Sequence, residues 1–157
     1  MASIPEIKQA SQEGIDFLMN EEGCVLHPYK DQVGISTIGI GNTYYEDGTR
    51  VKMTDAPITK DRAIYLFRNV LQYYENTVWS ITRDDITQNM FNALLSLCYN
   101  IGPAAFKAST VVKLVNKNPI DQAISNAFYM WRFTTVDGIK KPILAGRRKR
   151  ESKLYFS

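Results

Sequence analysis

The chain predicts an α+β fold, with a small N-terminal sheet lobe and a larger helical lobe joined by a long helix. Three observations predict it. Strand character is confined to about residues 24–52, where Thr37-Ile38-Gly39-Ile40-Gly41 alternates large and small residues and Gly34 and Asp47-Gly48 mark turns. From Thr59 onward the period becomes helical, with Ala63, Leu66, Phe67, Val70 and Tyr74 at three- and four-residue intervals. No stretch reads as a linker or a repeat, so residues 1–157 are expected to form one domain large enough to bury a single core. A cleft between the lobes is the natural place for a polymer.

The elements follow in order. Ser11 caps a helix running to about Glu21, with Ile15, Leu18 and Met19 on one face and Gly23 at its end. Residues 1–10 either extend that helix or form an arm. Within the sheet lobe, Ile38 and Ile40 are expected on one strand face, with Thr37, Gly39 and Gly41 on the other, lining the cleft. Thr59 caps the long helix, and Thr87 caps a second whose Met90, Phe91, Leu94, Leu95, Leu97 and Cys98 are apolar nearly all round, as in a core helix. Shorter helices are expected at about 107–116, 119–131 and 146–155, with Pro119 at a helix start and a turn at Val136-Asp137-Gly138.

Chemistry concentrates between Glu22 and Gly41. Glu22 stands at the end of the first helix, Asp31 in the turn after Tyr29-Lys30, and Thr37 at the start of the alternating run. Two acids on different backbone elements suit cleavage of a glycosidic bond. One carboxyl protonates the leaving oxygen, and the other activates water or attacks the sugar. Two solvated surface acids are the competing reading, and exposed carboxylates are common.

This segment resembles the lysozymes and endolysins of tailed bacteriophages, glycoside hydrolase family 24. Their signature is a Glu-Gly, an Asp after Tyr-Lys, and a Thr opening Thr-Ile-Gly-hydrophobic-Gly. The likeness continues through Gln88–Gly102, Phe106–Thr110, Trp131 and Gly146-Arg147-Arg148 with Glu151, so that it covers about residues 11–157. It implies a lysozyme-like fold and a muramidase that hydrolyses the β-1,4 bond between N-acetylmuramic acid and N-acetylglucosamine of bacterial peptidoglycan. Glu22 would be the general acid, Asp31 would hold or activate water or stabilise developing positive charge, and Thr37 would help fix the water. No metal or organic cofactor is required. The resemblance also places an arginine, Arg147 or Arg148, near the catalytic glutamate. Thr43, Tyr99, Asn100 and Ser109 are substrate-binding candidates on resemblance and chemistry together, since an aromatic face stacks on sugar and short polar groups bond its hydroxyl and acetamide groups. Sealing a core or capping a helix would explain each of the four equally simply. Asn42 stands where the family commonly has a supporting histidine, which bears on stability more than on the reaction. His27, the one histidine, is expected to be a surface or partly buried strand residue and not a catalytic group.

Composition agrees. The hydrophobic fraction of 45% and charged fraction of 22% suit a globular protein, and no apolar run of transmembrane length exists. Neither a membrane anchor nor a secretion signal is expected, so the protein would wait in the host cytoplasm, as a monomer, for a separately encoded pore (a holin) to open the way to the wall. Cys24 and Cys98 are too few and too distant for a disulfide scaffold or metal site, and Cys98 reads as a core residue. The last twenty residues carry +6 of a net +3, leaving −3 for the rest. That basic end favours an anionic polymer. A nucleic-acid-binding helical protein is the first rival but needs no Thr-Ile-Gly strand, so no nucleic-acid partner is expected. A catalytically idle wall-binding protein would show a broken catalytic set, and a chitinase would be told apart by its products.

Overall fold

The computed structural model describes residues 6–157, which divide into two compact units: residues 15–72, and the residues up to Gly14 together with 73–157. Residues 6–10 run irregularly and do not extend the first helix; residues 1–5 lie outside the described part.

Unit 15–72 holds most of α1 (Gln12–Glu22), β1 (Val25–Lys30), β2 (Ser36–Gly39) and the first half of α2 (Lys60–Ile81). Gly23 ends α1 in the left-handed region at φ +82° and donates its N–H to the Met19 carbonyl at 2.8 Å. The strands pair antiparallel, Tyr29 opposite Thr37 and Lys30 opposite Ser36. The expected strand alternation stops sooner than the sequence suggests. Beyond Gly39 the chain curls into a tight loop in which Ile38 and Asn42 exchange backbone hydrogen bonds at 2.9 and 3.0 Å, with Gly39 and Gly41 at φ +67° and +73°. The glycines therefore make the loop instead of lining a strand face. Gly39 also sits tight against α2, since a Cβ there would lie 3.3 Å from that of Ala63. Thr37, Ile38 and Ile40 are all buried.

Thr59 caps α2 as expected, its hydroxyl accepting from the Arg62 N–H at 3.1 Å. Ala63, Leu66, Phe67 and Leu71 form the buried stripe, whereas Val70, expected among them, faces solvent. A 3.6-residue period returns to the core face at 71, not 70.

The other unit is helical: the rest of α2, α3 (Gln88–Ile101), α4 (Pro103–Lys107), α5 (Thr110–Lys117), α6 (Ala123–Tyr129) and α7 (Ala145–Tyr155). Thr87 caps α3 by accepting from Met90 N–H at 3.1 Å, and every residue from Phe91 to Cys98 is buried, so this is the core helix. Three expectations need correction. The short α4 precedes α5, since Gly102-Pro103 restarts the helix at once. Pro119 lies in a turn stitched by Asp121 N–H to Asn118 O, and α6 begins only at Ala123. The region 24–52 is also not the sole β structure. β3 (Thr134–Val136) and β4 (Ile139–Lys141) form a hairpin around Asp137-Gly138, whose φ values of +51° and +76° mark a type I′ turn. Three-residue strands are too short to show a period, but the Asp-Gly pair was the available signal.

Candidate active site

Glu22 is the last residue of α1 and its side chain is exposed. The helix end places it, and the Gly23 reversal carries the chain away from it into β1.

Asp31 is fixed by its own turn. One carboxylate oxygen, Oδ1, accepts the N–H groups of Val33 and Ile35, both at 2.9 Å, while the backbone closes the loop through Asp31 N–H to Ile35 O and Gly34 N–H to Asp31 O, each 3.0 Å. Gly34, at φ +85°, makes that reversal possible. The side chain is half-buried and its second oxygen, Oδ2, stands outside these bonds. Thr37 is 3% exposed, and its hydroxyl donates to the Ile35 carbonyl at 2.8 Å. With its proton committed, Thr37 Oγ1 can offer only lone pairs to a further group. Ile35 thus joins the two residues, bonding Asp31 Oδ1 through its N–H and Thr37 through its carbonyl. Sequence reasoning named both ends of this arrangement and missed the middle.

The neighbouring loop is also pinned. Asn42 is buried, its Nδ2 donating to Leu66 O at 3.3 Å, and Oδ1 has no partner among the described residues. Thr43 is half-buried, its carbonyl accepting from Val51 N–H at 2.9 Å. Tyr45 donates its hydroxyl to Asp55 at 2.7 Å, and burial together with that bond pushes the phenol up to about 12. Cys24 is half-buried, and His27 is exposed with its Nδ1 3.1 Å from Pro28 O.

In the helical unit, Tyr99 packs edge-on against Tyr74 with ring centroids 5.0 Å apart. Asn100 accepts a hydrogen bond from the Arg148 guanidinium. Ser109 caps α5, accepting from Val112 N–H at 3.2 Å and donating to Phe106 O at 2.7 Å, and it is buried. Arg147 and Arg148, two of the seven basic residues of the chain's end, are not part of a solvated face. Both are buried and both pair with Glu151, which is 0% exposed. Arg147 also reaches the Ser96 carbonyl and hydroxyl at 3.3 Å, Arg148 donates to Trp131 O at 2.9 Å, and Ser96 donates to Glu151. Burial pushes the Glu151 carboxyl up, and the two guanidiniums and the Ser96 hydroxyl pull it back. The cluster pins α7 to α3. Its signal in sequence was the spacing of Arg147 and Arg148 from Glu151, four and three residues on one helix.

Known proteins share this fold. The profile of the family described as Phage lysozyme matches residues 19–151. The endolysin of Salmonella phage P22 is 39% identical over 95% of this chain and 99% of its own length, and the crystal structure of a variant of the P22 lysozyme superposes at a TM-score of 0.85 over 96% of this chain and all of that one. The endolysin of Escherichia coli O157:H7 phage FAHEc1 is 34% identical with a TM-score of 0.84, covering 94% of this chain and 92% of its own. The muramidase domain of SpmX from Asticaccaulis excentricus is 26% identical with a TM-score of 0.79, covering 96% and 99%. With the profile spanning both the Glu22–Thr37 segment and the buried Arg–Glu cluster, the chain belongs to the phage lysozyme family and is a glycosidase.

Proposed function

We propose that Glu22 is the general acid and Asp31 the general base of a muramidase that cleaves the β-1,4 bond after N-acetylmuramic acid, and that Thr37 orients the attacking water. The enzyme is an endolysin acting on peptidoglycan. The single observation that supports this division of labour is the Asp31–Ile35–Thr37 lock. Oδ1 of Asp31 is occupied by two N–H groups and the Thr37 proton by a carbonyl, so what remains is one carboxylate oxygen and hydroxyl lone pairs, all acceptors. A water donating one hydrogen to each turns its own lone pair outward, toward the anomeric carbon. Asp31 then takes the proton as the O–C bond forms, while Glu22 gives its proton to the departing glycosidic oxygen.

That order of events is direct displacement by water, so the product anomer is inverted. Thr43 and Tyr99 are proposed to contact the sugars. Asn100 and Ser109 are proposed to act by holding their own segments, because their polar atoms already bond Arg148 and the α5 cap. No helix among the described residues is long and apolar enough to cross a membrane. We propose that the enzyme is held in the host cytoplasm and reaches the wall through a pore encoded elsewhere.

The test is digestion of purified bacterial sacculi, with the released ends identified by mass spectrometry and the first-formed anomer by proton NMR. Reducing muramic acid ends with inversion support the reading. Free amine or peptide ends overturn the muramidase reading, and retention makes Asp31 the nucleophile.

A further inference from the structure

The β3–β4 hairpin and its flanks expose more apolar surface than a short excursion needs. Met130, Phe133, Ile139 and Ile143 are each between 44% and 60% exposed, all within residues 130–143. Isolated exposed hydrophobes are ordinary, but four in so short a segment form the kind of surface that marks an interaction site. The segment is held firmly in place. Its arms pair from Val136–Ile139 down to Thr134–Lys141, Leu144 N–H continues the pairing to Arg132 O at 3.0 Å, and Arg148 ties the base through Trp131 O.

Charge accompanies the apolar groups. Arg132, Lys140 and Lys141 face only Asp137 as an acid within residues 130–143. The Arg132 guanidinium lies between two rings, 4.5 Å from the centroid of Tyr129 and 4.3 Å from that of Phe133, and Lys149 of α7 stands 5.6 Å from the same Tyr129 ring. The Arg132 cation is thus held against aromatic rings at the base of the hairpin.

We propose that this hairpin and its flanks dock on an anionic lipid bilayer. Aliphatic and thioether side chains gain from entering the boundary between headgroups and acyl chains, and lysine and arginine at their side pair with lipid phosphates. The aliphatic part is what separates a bilayer from a wall polymer or a nucleic acid, for which the cations alone would suffice. Contact through a few side chains is reversible, and it would hold the enzyme beside the membrane that adjoins its substrate. This docking does not depend on which residues perform hydrolysis.

The full chain is tested by co-sedimentation with vesicles of phosphatidylcholine alone and of phosphatidylcholine mixed with phosphatidylglycerol. The protein is expected to follow the anionic vesicles, less so as salt rises, and to leave the neutral ones. Ile139→Ser with Ile143→Ser should weaken that association about tenfold, the scale set by two partly buried aliphatic side chains. Lys140→Gln with Lys141→Gln should weaken it and flatten its salt dependence. All four side chains are exposed, so thermal melting and turnover on a soluble oligosaccharide should stay as in the parent. Failure of the parent to bind anionic vesicles overturns the proposal. So does an isoleucine variant that binds like the parent, which would make the surface a polyanion site, or loss of binding confined to Lys153→Gln on α7.

Discussion

The carboxylates of Asp31 and Glu151 are both immobilised, by opposite means. Asp31 is held at the surface by two backbone N–H groups of its own turn, and one of its oxygens stays outside those bonds. Glu151 is fully buried and held by three side chains, Arg147 and Arg148 on its own helix and Ser96 on α3. Backbone donors cost nothing extra to bring together once the turn forms, and they leave an acid open to substrate. Buried guanidiniums make the acid part of the interior, where removing it leaves uncompensated charge. The first arrangement suits chemistry and the second suits joining helices, so a substitution at each should register in a different measurement.

The largest expected effect is at the buried acid. Glu151→Gln keeps the shape but leaves two buried guanidiniums without a counter-charge, which should cost about 3–5 kcal/mol of unfolding free energy. Urea denaturation measures it, and turnover per folded molecule should change little. A loss below about 1 kcal/mol would show that water or other groups satisfy the arginines and that the cluster is not a buried ion pair in effect.

Glu22→Gln should do the reverse. The proposed proton donor disappears while the shape of an exposed helix end is kept, so sacculus hydrolysis should fall at least ~100-fold with the melting temperature unchanged. Activity within a few-fold of the parent would remove Glu22 from the mechanism.

Ionisation in the core gives a smaller, pH-dependent effect. Burial of Cys98 inside α3 pushes its thiol up to about 12. A group raised in the folded state contributes its stability fully below the unfolded thiol value of about 8.5, and that stability is lost as pH rises toward the folded value. Stability should therefore decline from about pH 8.5, by about 2 kcal/mol at pH 10, at roughly 1.4 kcal/mol per unit. Cys98→Ala should flatten this decline between about pH 8.5 and 9.5, below the unfolded tyrosine value of about 10. An equal slope in both proteins would assign it elsewhere.

The two regions also differ in how far their sequence disclosed them. The Asp31–Thr37 turn was legible because a local turn with fixed spacing leaves a fixed motif, and the caps Ser11, Thr59, Thr87 and Gly23 were legible for the same reason. Ile35 was not, since its part is played by backbone atoms that any residue supplies. The surroundings of Arg147 and Arg148 were hidden as well. The resemblance placed one of them near the catalytic glutamate, and nothing local pointed to Ser96, 51 residues away along the chain from Arg147, which packing brings beside it. Val70 was misplaced because three- and four-residue intervals leave the register of a long helix open by one position. The β3–β4 hairpin escaped because three residues are too few to establish alternation.

The smallest expected effect isolates the Asp31 turn itself. Gly34 lies at φ +85° with nothing within 4 Å of where a Cβ would stand, so Gly34→Ala meets no clash and pays only backbone strain. That strain is about 1–2 kcal/mol, a few degrees in melting temperature for a chain of this size. Relief of the strain would shift the Val33 and Ile35 N–H groups that fix Oδ1, and with them the aim of Oδ2, so hydrolysis should fall several-fold beyond the fraction unfolded. Gly34→Asn is the matching control, because asparagine tolerates the left-handed region and should recover most of both losses. Destabilisation of Gly34→Ala without loss of turnover would mean that the turn supports the fold but does not aim the carboxylate.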